Sequence, residues 1–272
     1  MSDELIVEHD DGWLTLWMNR PAVRNALGAE MLAAMRAALD EVRGDRTVRG
    51  ITLRGKGGVF CAGGDLKNFR SSFQGGASRA EIAASNASAG EFFTYLNTMP
   101  QVVVMLIEGA AIAGGLGLAC TGDVVAVTAD AKFAITETSL GLPPAQIAPF
   151  VVQRIGLTAA RRLMLTGARF DGREAGRLGL ADFVAEDAAG LDAIEADIRR
   201  SVRRCAPGAN AVTKELVLKA PLLPRDEMVA FAGGRFADCM LGEEAREGIA
   251  AFLDKRKPSW AGSPGAESPK AG

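Results

Sequence analysis

The chain has 272 residues, of which 48% are hydrophobic, and its formal net charge is −2 at pH 7. This length and apolar content are enough to bury a sizeable core in one domain, or in one domain with an appendage. Without a basic excess the chain is not expected to bind nucleic acid, and its apolar runs are too short to span a membrane.

Cysteine and histidine usage narrows the chemistry further. The four cysteines, at positions 61, 120, 205 and 239, have no C-x-x-C spacing, and the start of the chain is not signal-like. Both features favour a reducing compartment, so we expect a cytoplasmic protein. The single histidine, His9, disfavours Ser-His-Asp, Cys-His and multi-histidine metal sites. We expect His9 on the surface of a hairpin and no metal site.

The first part of the chain alternates between strand and helix patterns. Alternating apolar residues from Leu5 to Met18, around an Asp-Asp-Gly turn, predict a β-hairpin. Helical spacing predicts a helix over Ala29 to Arg43, and a strand follows over Ile51 to Leu53. The stretch from Asn68 to Ala89 is rich in Ser, Ala and Gly, which is typical of a surface loop or of a flap over a pocket. A helix from Glu91 to Met99 then leads into a central strand.

Two glycine-rich turns each follow an apolar strand. VFCAGGDLK spans Val59 to Lys67, and AIAGGLG spans Ala111 to Gly117. Small residues let a ligand approach the backbone, where the first N–H groups of a helix lack partners. Such a place suits an anion. Either turn alone is typical of an ordinary tight turn, but the two together could supply both backbone donors of an oxyanion hole.

The later part of the chain is mainly helical. The pattern predicts a helix over Leu157 to Thr166, and the Asp171 to Glu174 segment has the form of a capping box that starts another. Further helices are predicted over Leu191 to Cys205, Ala209 to Lys219, Asp226 to Met240 and Glu243 to Arg256. A short strand is predicted near Asp182 to Val184.

These motifs, in this order, resemble the crotonase superfamily, which includes enoyl-CoA hydratases and isomerases. The resemblance is carried by NRPAVRNAL, VFCAGGDLK, IEGAAIAGGLGLACTGD, AKFAITETSLGLPPAQ, TGARFDGREAGRLGLADFV and EEAREGIAAFLDKRKP, and it covers Leu5 to about Trp260. It implies an α/β fold with a ββα spiral core and a C-terminal helical region that builds a homotrimer or a dimer of trimers. The segment TETSLGLPPAQIAPFVVQRIG looks most like hydratases of the isohexenylglutaconyl-CoA type.

We therefore expect three regions along the chain. The spiral core with the acyl-CoA site is predicted over residues 1–190, the helical region over 191–258, and a disordered tail over 259–272. The tail prediction rests on two Ser-Pro pairs and several glycines.

The resemblance also implies roles for individual residues. The N–H groups of Gly64 and Gly114 would hold the thioester oxygen, and Glu137 would be the catalytic acid and base. A carboxylate in an apolar pocket has a raised pKa, which suits proton transfer near neutral pH. The positions expected to line the substrate and its CoA moiety are Val23, Arg24, Ala26, Ala62, Asp65, Leu66, Lys67, Gly115, Gly117 and Gln146. We expect no cofactor beyond that CoA moiety.

One position departs from the pattern of well-studied hydratases, which carry a second glutamate where this chain has Gly117. Three alternatives remain open. The first is a hydratase in which Glu137 makes both proton transfers, or in which the substrate or another group completes the water site. The others are an isomerase in which Glu137 moves a proton alone, and a non-catalytic CoA-binding or scaffold protein. For the hydratase we expect Gly117 to lower like-charge repulsion and leave room for an anionic, branched acyl group. Gln146 would then orient the water or the substrate carboxylate.

Overall fold

The computed structural model describes residues 3–65 and 75–262. Its strands are Leu5–Asp10 (β1), Trp13–Met18 (β2), Gly50–Gly55 (β3), Val102–Ile107 (β4), Ala110–Ile112 (β5), Val124–Thr128 (β6), Lys132–Ala134 (β7), Arg169–Asp171 (β8) and Phe183–Ala185 (β9). Its α-helices are Ala29–Arg43 (α1), Arg79–Asn97 (α2), Gly114–Ala119 (α3), Ala148–Thr166 (α4), Gly172–Arg177 (α5), Ala188–Arg203 (α6), Pro207–Lys219 (α7), Arg225–Leu241 (α8) and Glu243–Leu253 (α9). Short 3-10 helices lie at Pro21–Val23, Lys56–Gly58, Glu137–Leu140 and Ser259–Ala261.

The strands form two sheets. The larger has the order β1-β2-β3-β4-β6-β9, in which β1 and β2 are antiparallel and all other neighbours are parallel. The smaller has the order β5-β7-β8, with β5 and β7 parallel. This is a mixed α/β fold, as the sequence predicts.

Side chains of the larger sheet alternate between two apolar layers, as the period of a strand requires. In β4, Val103, Met105 and Ile107 face the main core. The intervening Val104 and Leu106 pack with Leu191 and other apolar residues of α6 on the opposite face. The central strands are therefore buried on both sides, which explains their continuous apolar sequences.

The predicted hairpin is present. Asp10 pairs with Trp13, and the turn residues Asp11 and Gly12 have φ values of 47° and 69°. This left-handed pair matches the twist of the flanking strands, which is why a short Asp-Gly turn is favoured here. His9 is exposed on β1, as expected.

The predicted surface flap is partly wrong. Positions 68–74 lie outside the described residues, but α2 already begins at Arg79, so the second half of the segment is helical. Ser78 accepts a hydrogen bond from the N–H of Glu81, and the Glu81 side chain accepts one from the N–H of Ser78. This capping box and the alanines that follow it favour a helix despite the polar composition.

The helix predicted from Leu157 also begins earlier, at Ala148. Gly156 interrupts it with φ 74° and ψ 163°. The apolar pattern predicts the second half, whereas Pro149 at the start marks the first half, since proline is tolerated in the first turn.

Helices α6 to α9 follow the last strand, and one buried ion pair ties α7 to the sheet. The ammonium of Lys214 contacts the carboxylate of Asp123 and donates to the carbonyl of Gln101 at 2.6 Å. Asp123 also accepts from the N–H of Val103 at 2.7 Å. The boundary at residue 190 between core and helical region stays a prediction.

The beginning of the predicted disordered tail is ordered. Ser259–Ala261 form a 3-10 helix, and Arg49 donates to the carbonyl of Trp260 at 3.2 Å. Apolar packing of Trp260 against Gly248 explains why these positions are held. Positions 263–272 lie outside the described residues.

Candidate active site

Three parallel segments direct the predicted catalytic residues to one edge of the smaller sheet. Cys61 forms a parallel bridge with Ala111 of β5, and β5 pairs in parallel with β7. The residues that follow parallel neighbours emerge at the same edge. Gly64 follows Cys61 by three residues, Gly114 follows β5 by two, and Glu137 follows β7 by three. The topology thus places at one edge of the smaller sheet three residues that span 73 positions of the chain, from 64 to 137.

The backbone around Gly64 is fixed by Leu27. The N–H of Leu27 donates to the carbonyl of Gly63 at 2.8 Å, and the N–H of Asp65 donates to the carbonyl of Leu27 at 3.2 Å. In this parallel bridge the N–H of Gly64 points away from Leu27. Among residues 3–65 and 75–262, no hydrogen bond uses that N–H.

The backbone at Gly114 is held by an unusual residue before it. Ala113 has φ 52° and ψ −121°, a strained conformation that costs on the order of 1–3 kcal/mol. The N–H of Ala113 donates to the carbonyl of Ala134 at 2.8 Å, which fixes the turn to β7. Gly114 is the first residue of α3, so its N–H has no acceptor within the helix.

The two candidate donors lie side by side. A Cβ atom built on Gly114 would be 3.5 Å from the nitrogen of Gly64. Gly63, at φ 97°, cannot carry a side chain without strain, because its Cβ would lie 2.8 Å from the carbonyl oxygen of Ile112. Small residues therefore keep this pair of N–H groups open to a ligand oxygen.

Glu137 begins the 3-10 helix that follows β7. Burial raises the pKa of its carboxyl group, and hydrogen bonds from backbone N–H groups oppose the shift. Its Oε2 atom is buried and has no hydrogen-bond partner among the described residues. A half-buried acid with a free oxygen and a raised pKa is suited to exchange protons with a bound substrate.

The loop before α1 packs against the Gly64 turn. The N–H of Ala62 donates to the carbonyl of Arg24 at 2.9 Å. Arg24 is exposed with φ 53°, Val23 is half-buried, and Ala26 is 8% exposed. The predicted CoA-lining residues Val23, Arg24, Ala26, Ala62 and Asp65 are therefore neighbours, whereas Leu66 and Lys67 lie outside the described residues.

Two residues that sequence reasoning missed hold this loop in place. Asn25 is fully buried with φ 55°, and its Oδ1 accepts from the N–H of Arg20 at 2.7 Å. Its Nδ2 donates to the carbonyls of Lys56 and Val59 at 3.0 and 2.6 Å. Arg20 donates to the carbonyl of Ala26 at 2.8 Å.

Arg20 also links the loop to the Gly64 turn electrostatically. Its guanidinium lies 3.3 Å from the carboxylate of Asp65 and 2.9 Å from that of Glu4. Asp65 is the residue after Gly64, so this ion pair restrains the turn that carries one candidate donor. Arg20 and Asn25 both stand in the motif NRPAVRNAL, on either side of the apolar Pro21–Val23. No local sequence pattern, however, reveals their distant partners.

Gly115 has a packing role. A Cβ atom there would lie 2.4 Å from the carbonyl oxygen of Cys61. Its small size lets the two glycine-rich turns approach each other. Burial raises the pKa of the Cys61 thiol to about 12, which keeps this thiol protonated at neutral pH.

Gly117 does not leave the open space that we expected. A Cβ atom at this position would lie 2.1 Å from the Cγ2 methyl of Ile147 and 2.4 Å from its Cβ. Ile147 is 4% exposed and belongs to the main core. The room beside Gly117 is therefore already filled by a hydrocarbon side chain, and sequence reasoning did not identify Ile147.

The side chain of Gln146 makes its contacts with helix α2. Its Nε2 donates to Oδ1 of Asn86 at 2.7 Å, and its Oε1 occupies the place of a Cβ atom on Gly90. Both partners belong to α2. The Gln146 amide thus links α2 to the start of α4. Its expected role, to orient the water or the substrate carboxylate, stays a prediction.

Other kinds of site are not evident in the described residues. No group of three His, Cys, Asp or Glu side chains within residues 3–65 and 75–262 is placed to hold a metal ion. In the same ranges, no helix is both long and apolar enough to cross a membrane.

Known proteins resemble this chain both in sequence and in structure. The sequence matches the enoyl-CoA hydratase/isomerase family over residues 8–263. A mouse protein named methylglutaconyl-CoA hydratase, mitochondrial, is 30% identical over 278 residues, covering 96% of this chain and 84% of its own length.

Two solved structures share the whole fold. AtuE of Pseudomonas aeruginosa is 47% identical with a TM-score of 0.92, covering 95% of this chain and 100% of its own. An enoyl-CoA hydratase/isomerase from Marinobacter aquaeolei is 40% identical with a TM-score of 0.91, covering 96% and 100%. The predicted crotonase-like α/β fold is thereby confirmed.

Proposed function

The chain belongs to the enoyl-CoA hydratase/isomerase family of the crotonase superfamily, and on that basis we propose that it adds water to the double bond of a branched, carboxylated 2-enoyl-CoA. The observation that supports this most directly is the convergence of two open N–H groups and one half-buried acid, at Gly64, Gly114 and Glu137, on one sheet edge. An acyl-CoA thioester is the substrate class of this family. No cofactor beyond the CoA moiety is needed for such a reaction.

In this mechanism the thioester oxygen accepts hydrogen bonds from Gly64 and Gly114. The Glu137 carboxylate takes a proton from water while the water oxygen attacks Cβ of the enoyl group. Electron density moves to the thioester oxygen, and each N–H stabilises the resulting enolate by about 3 kcal/mol. The protonated Glu137 then returns the proton to Cα, which completes the addition of H and OH.

The substrate class rests on two observations. Position 117 supplies no carboxylate, so it does not repel an acyl group that carries one. The mouse relative named methylglutaconyl-CoA hydratase indicates that such acyl groups occur as substrates among relatives of this chain.

Isomerisation is the second candidate, and the single acid at Glu137 favours it. An isomerase needs no water: Glu137 would take a proton from Cα of a 3-enoyl-CoA and return it to Cγ. The double bond would move into conjugation with the thioester, and Gly64 and Gly114 would hold the same enolate oxygen.

The ultraviolet absorbance of the conjugated thioester separates the two reactions. Hydration predicts a fall in absorbance with 2-enoyl-CoA substrates, largest for a methylglutaconyl group. A rise with 3-enoyl-CoA and no fall with any 2-enoyl-CoA would replace hydration by isomerisation.

A Glu137→Gln variant separates both enzymes from a non-catalytic CoA-binding or scaffold protein. Loss of the proton carrier should reduce kcat by about 10²–10⁴-fold while CoA-thioester binding, measured by calorimetry, is retained. A wild-type protein that binds CoA thioesters but converts none of them would favour the scaffold alternative.

A further inference from the structure

Position 117 lies close to the candidate oxyanion hole. Gly117 follows Gly114 by three residues in α3, so the two positions share one face of that helix. Gly114 donates one of the open N–H groups described above. With the thioester oxygen bound at Gly114 as proposed, a side chain at position 117 would project toward the acyl carbons next to it.

Ile147 covers this face in place of such a side chain. Its Cγ2 methyl stands 2.1 Å from where a Cβ of residue 117 would be, so the two cannot coexist without movement of one element. Ile147 is the residue just before α4, ten positions after Glu137. One segment thus carries both the acid and the hydrocarbon group that faces Gly117.

The position of Ile147 is fixed from both sides. Its carbonyl accepts the N–H of Val151 at 3.0 Å in the first turn of α4. The preceding residue, Gln146, occupies the space left by Gly90 of α2 and bonds to Asn86. Two consecutive side chains therefore fill two spaces that only glycine leaves, one on α2 and one on α3, and this restricts any shift of the methyl group.

We propose that Ile147 is a specificity-determining residue, whose methyl group seals the face of Gly117 so that the acyl group meets a neutral hydrocarbon wall there. This inference rests on the proposed function and refines it. The pair of Ile147 and Gly117 tolerates a carboxylated acyl group because it carries no charge, and not because it leaves extra room.

A charge placed on this wall tests the idea. Gly117→Glu alone would both add charge and clash with Ile147, so its effect cannot be assigned. In the double variant Gly117→Glu/Ile147→Gly the Cβ and methyl groups of residue 147 are removed, and its Cα lies 3.5 Å from the new Cβ, an ordinary van der Waals contact. Gly117→Gln/Ile147→Gly has the same shape without the charge and is the matched control.

The two substrates should share the same branched enoyl group and differ in a distal carboxylate, whose size affects the Glu and Gln variants equally. Methylglutaconyl-CoA carries a distal carboxylate, and 3-methylcrotonyl-CoA has the same branch without it. We expect the glutamate variant to lower the ratio of kcat/KM for the two thioesters, carboxylated over neutral, by about tenfold or more relative to the glutamine variant. Equal ratios in the two variants would overturn the proposal.

Binding of the saturated analogues of both thioesters, measured by calorimetry, gives the same ratio without turnover. If wild-type protein converts no enoyl-CoA, the proposed function fails, yet the binding ratio still tests the wall. Should these double variants not fold, the single variants Gly117→Glu and Gly117→Gln share the same overlap with Ile147, so a difference between them still reports the charge. The same ratios, carboxylated over neutral thioester, are then compared, and equal ratios in the two variants would again overturn the proposal.

Discussion

Glu137 differs from an ordinary surface acid in its burial and in its hydrogen bonding. Its side chain is half-buried, which disfavours the charged form, and its buried Oε2 atom has no partner among the described residues. Such an arrangement destabilises the folded protein and is retained where chemistry needs a carboxyl group that can hold its proton near neutral pH.

This cost makes stability depend on pH. Burial raises the pKa of Glu137 above the ordinary 4.5, so the folded state binds the proton more tightly than the unfolded state. The protonated form is therefore neutral toward folding, and the penalty grows as pH rises from about 4.5 through the folded-state pKa. We expect Glu137→Gln to raise the melting temperature relative to wild type at pH 8 and to change it little at pH 4. The exposed Glu91→Gln is the control, and an increase of the same size at both pH values would contradict the assignment.

Asn25 is the polar residue on which the loop beside the Gly64 turn depends. It is fully buried and makes three hydrogen bonds, to Arg20, Lys56 and Val59. Asn25→Gly accepts the positive φ but leaves these groups unsatisfied, so we expect a loss of about 3 kcal/mol in the free energy of unfolding in urea. Removing the exposed hydrogen bond of Asn86 in Asn86→Ala should cost about 0.5 kcal/mol or less. Comparable losses for the two variants would show that the loop does not depend on Asn25.

Among the elements, α7 is joined to the sheet by a charge taken out of water. Burial raises the pKa of Asp123 and lowers that of Lys214, because both charged forms lose hydration. Lys214→Met leaves the Asp123 carboxylate buried without its cation, and we expect a loss of about 3–5 kcal/mol in unfolding free energy. Asp123→Asn/Lys214→Met removes both charges and should recover a large part of that loss. A double variant as unstable as the single one would mean that packing, and not charge, joins α7 to β4.

The elements differ in how far the sequence alone predicts them. The hairpin and α1 follow from periods of 2 and 3.6 residues, which short-range patterns carry fully. Helix α2 was missed at its start because Ser, Ala and Gly resemble a loop, although Ser78 and Glu81 form a recognisable capping box.

Part of the candidate site could likewise be predicted from the sequence, and part could not. The motifs around Gly64, Gly114 and Glu137 were found from resemblance, and their open N–H groups follow from small residues at turns. The contact between Ile147 and Gly117 joins positions 30 residues apart and exists only when α3 and α4 pack together. No pattern of composition or spacing encodes such a contact, so Gly117 was interpreted as open space.

At the scale of the whole molecule, the C-terminal helices expose an unusual amount of apolar surface. Large side chains exposed by about half or more on α7 to α9 and the turns between them are Val217, Leu222, Val229, Phe236, Met240, Leu241, Ile249, Phe252 and Leu253. Surfaces of this kind are typical of contacts between subunits. We propose, in line with the sequence-based expectation, that these helices join three copies of the chain, or two such trimers.

Sedimentation velocity checks this assembly. We expect the mass of three or six 28.5-kDa chains, and a shift toward the single chain for Phe236→Asp, whose side chain is 69% exposed. Leu165→Asp introduces the same charge at a 73% exposed position on α4, which is not one of these helices, and should leave the mass unchanged. A wild-type protein that sediments as one chain would contradict the proposal.

The long-range hydrogen bonds of Arg49 constrain the order in which parts of a newly made chain can fold. This residue precedes β3, at the centre of the sheet, yet its guanidinium donates to carbonyls of Val202, Cys205 and Trp260, which follow it by 153, 156 and 211 residues. Contacts of such separation form late because a long loop must close first. During synthesis from the N-terminus, β3 is made long before its last partner exists. The sheet can pair early, but Arg49 reaches its final hydrogen bonds only after Trp260 has been added.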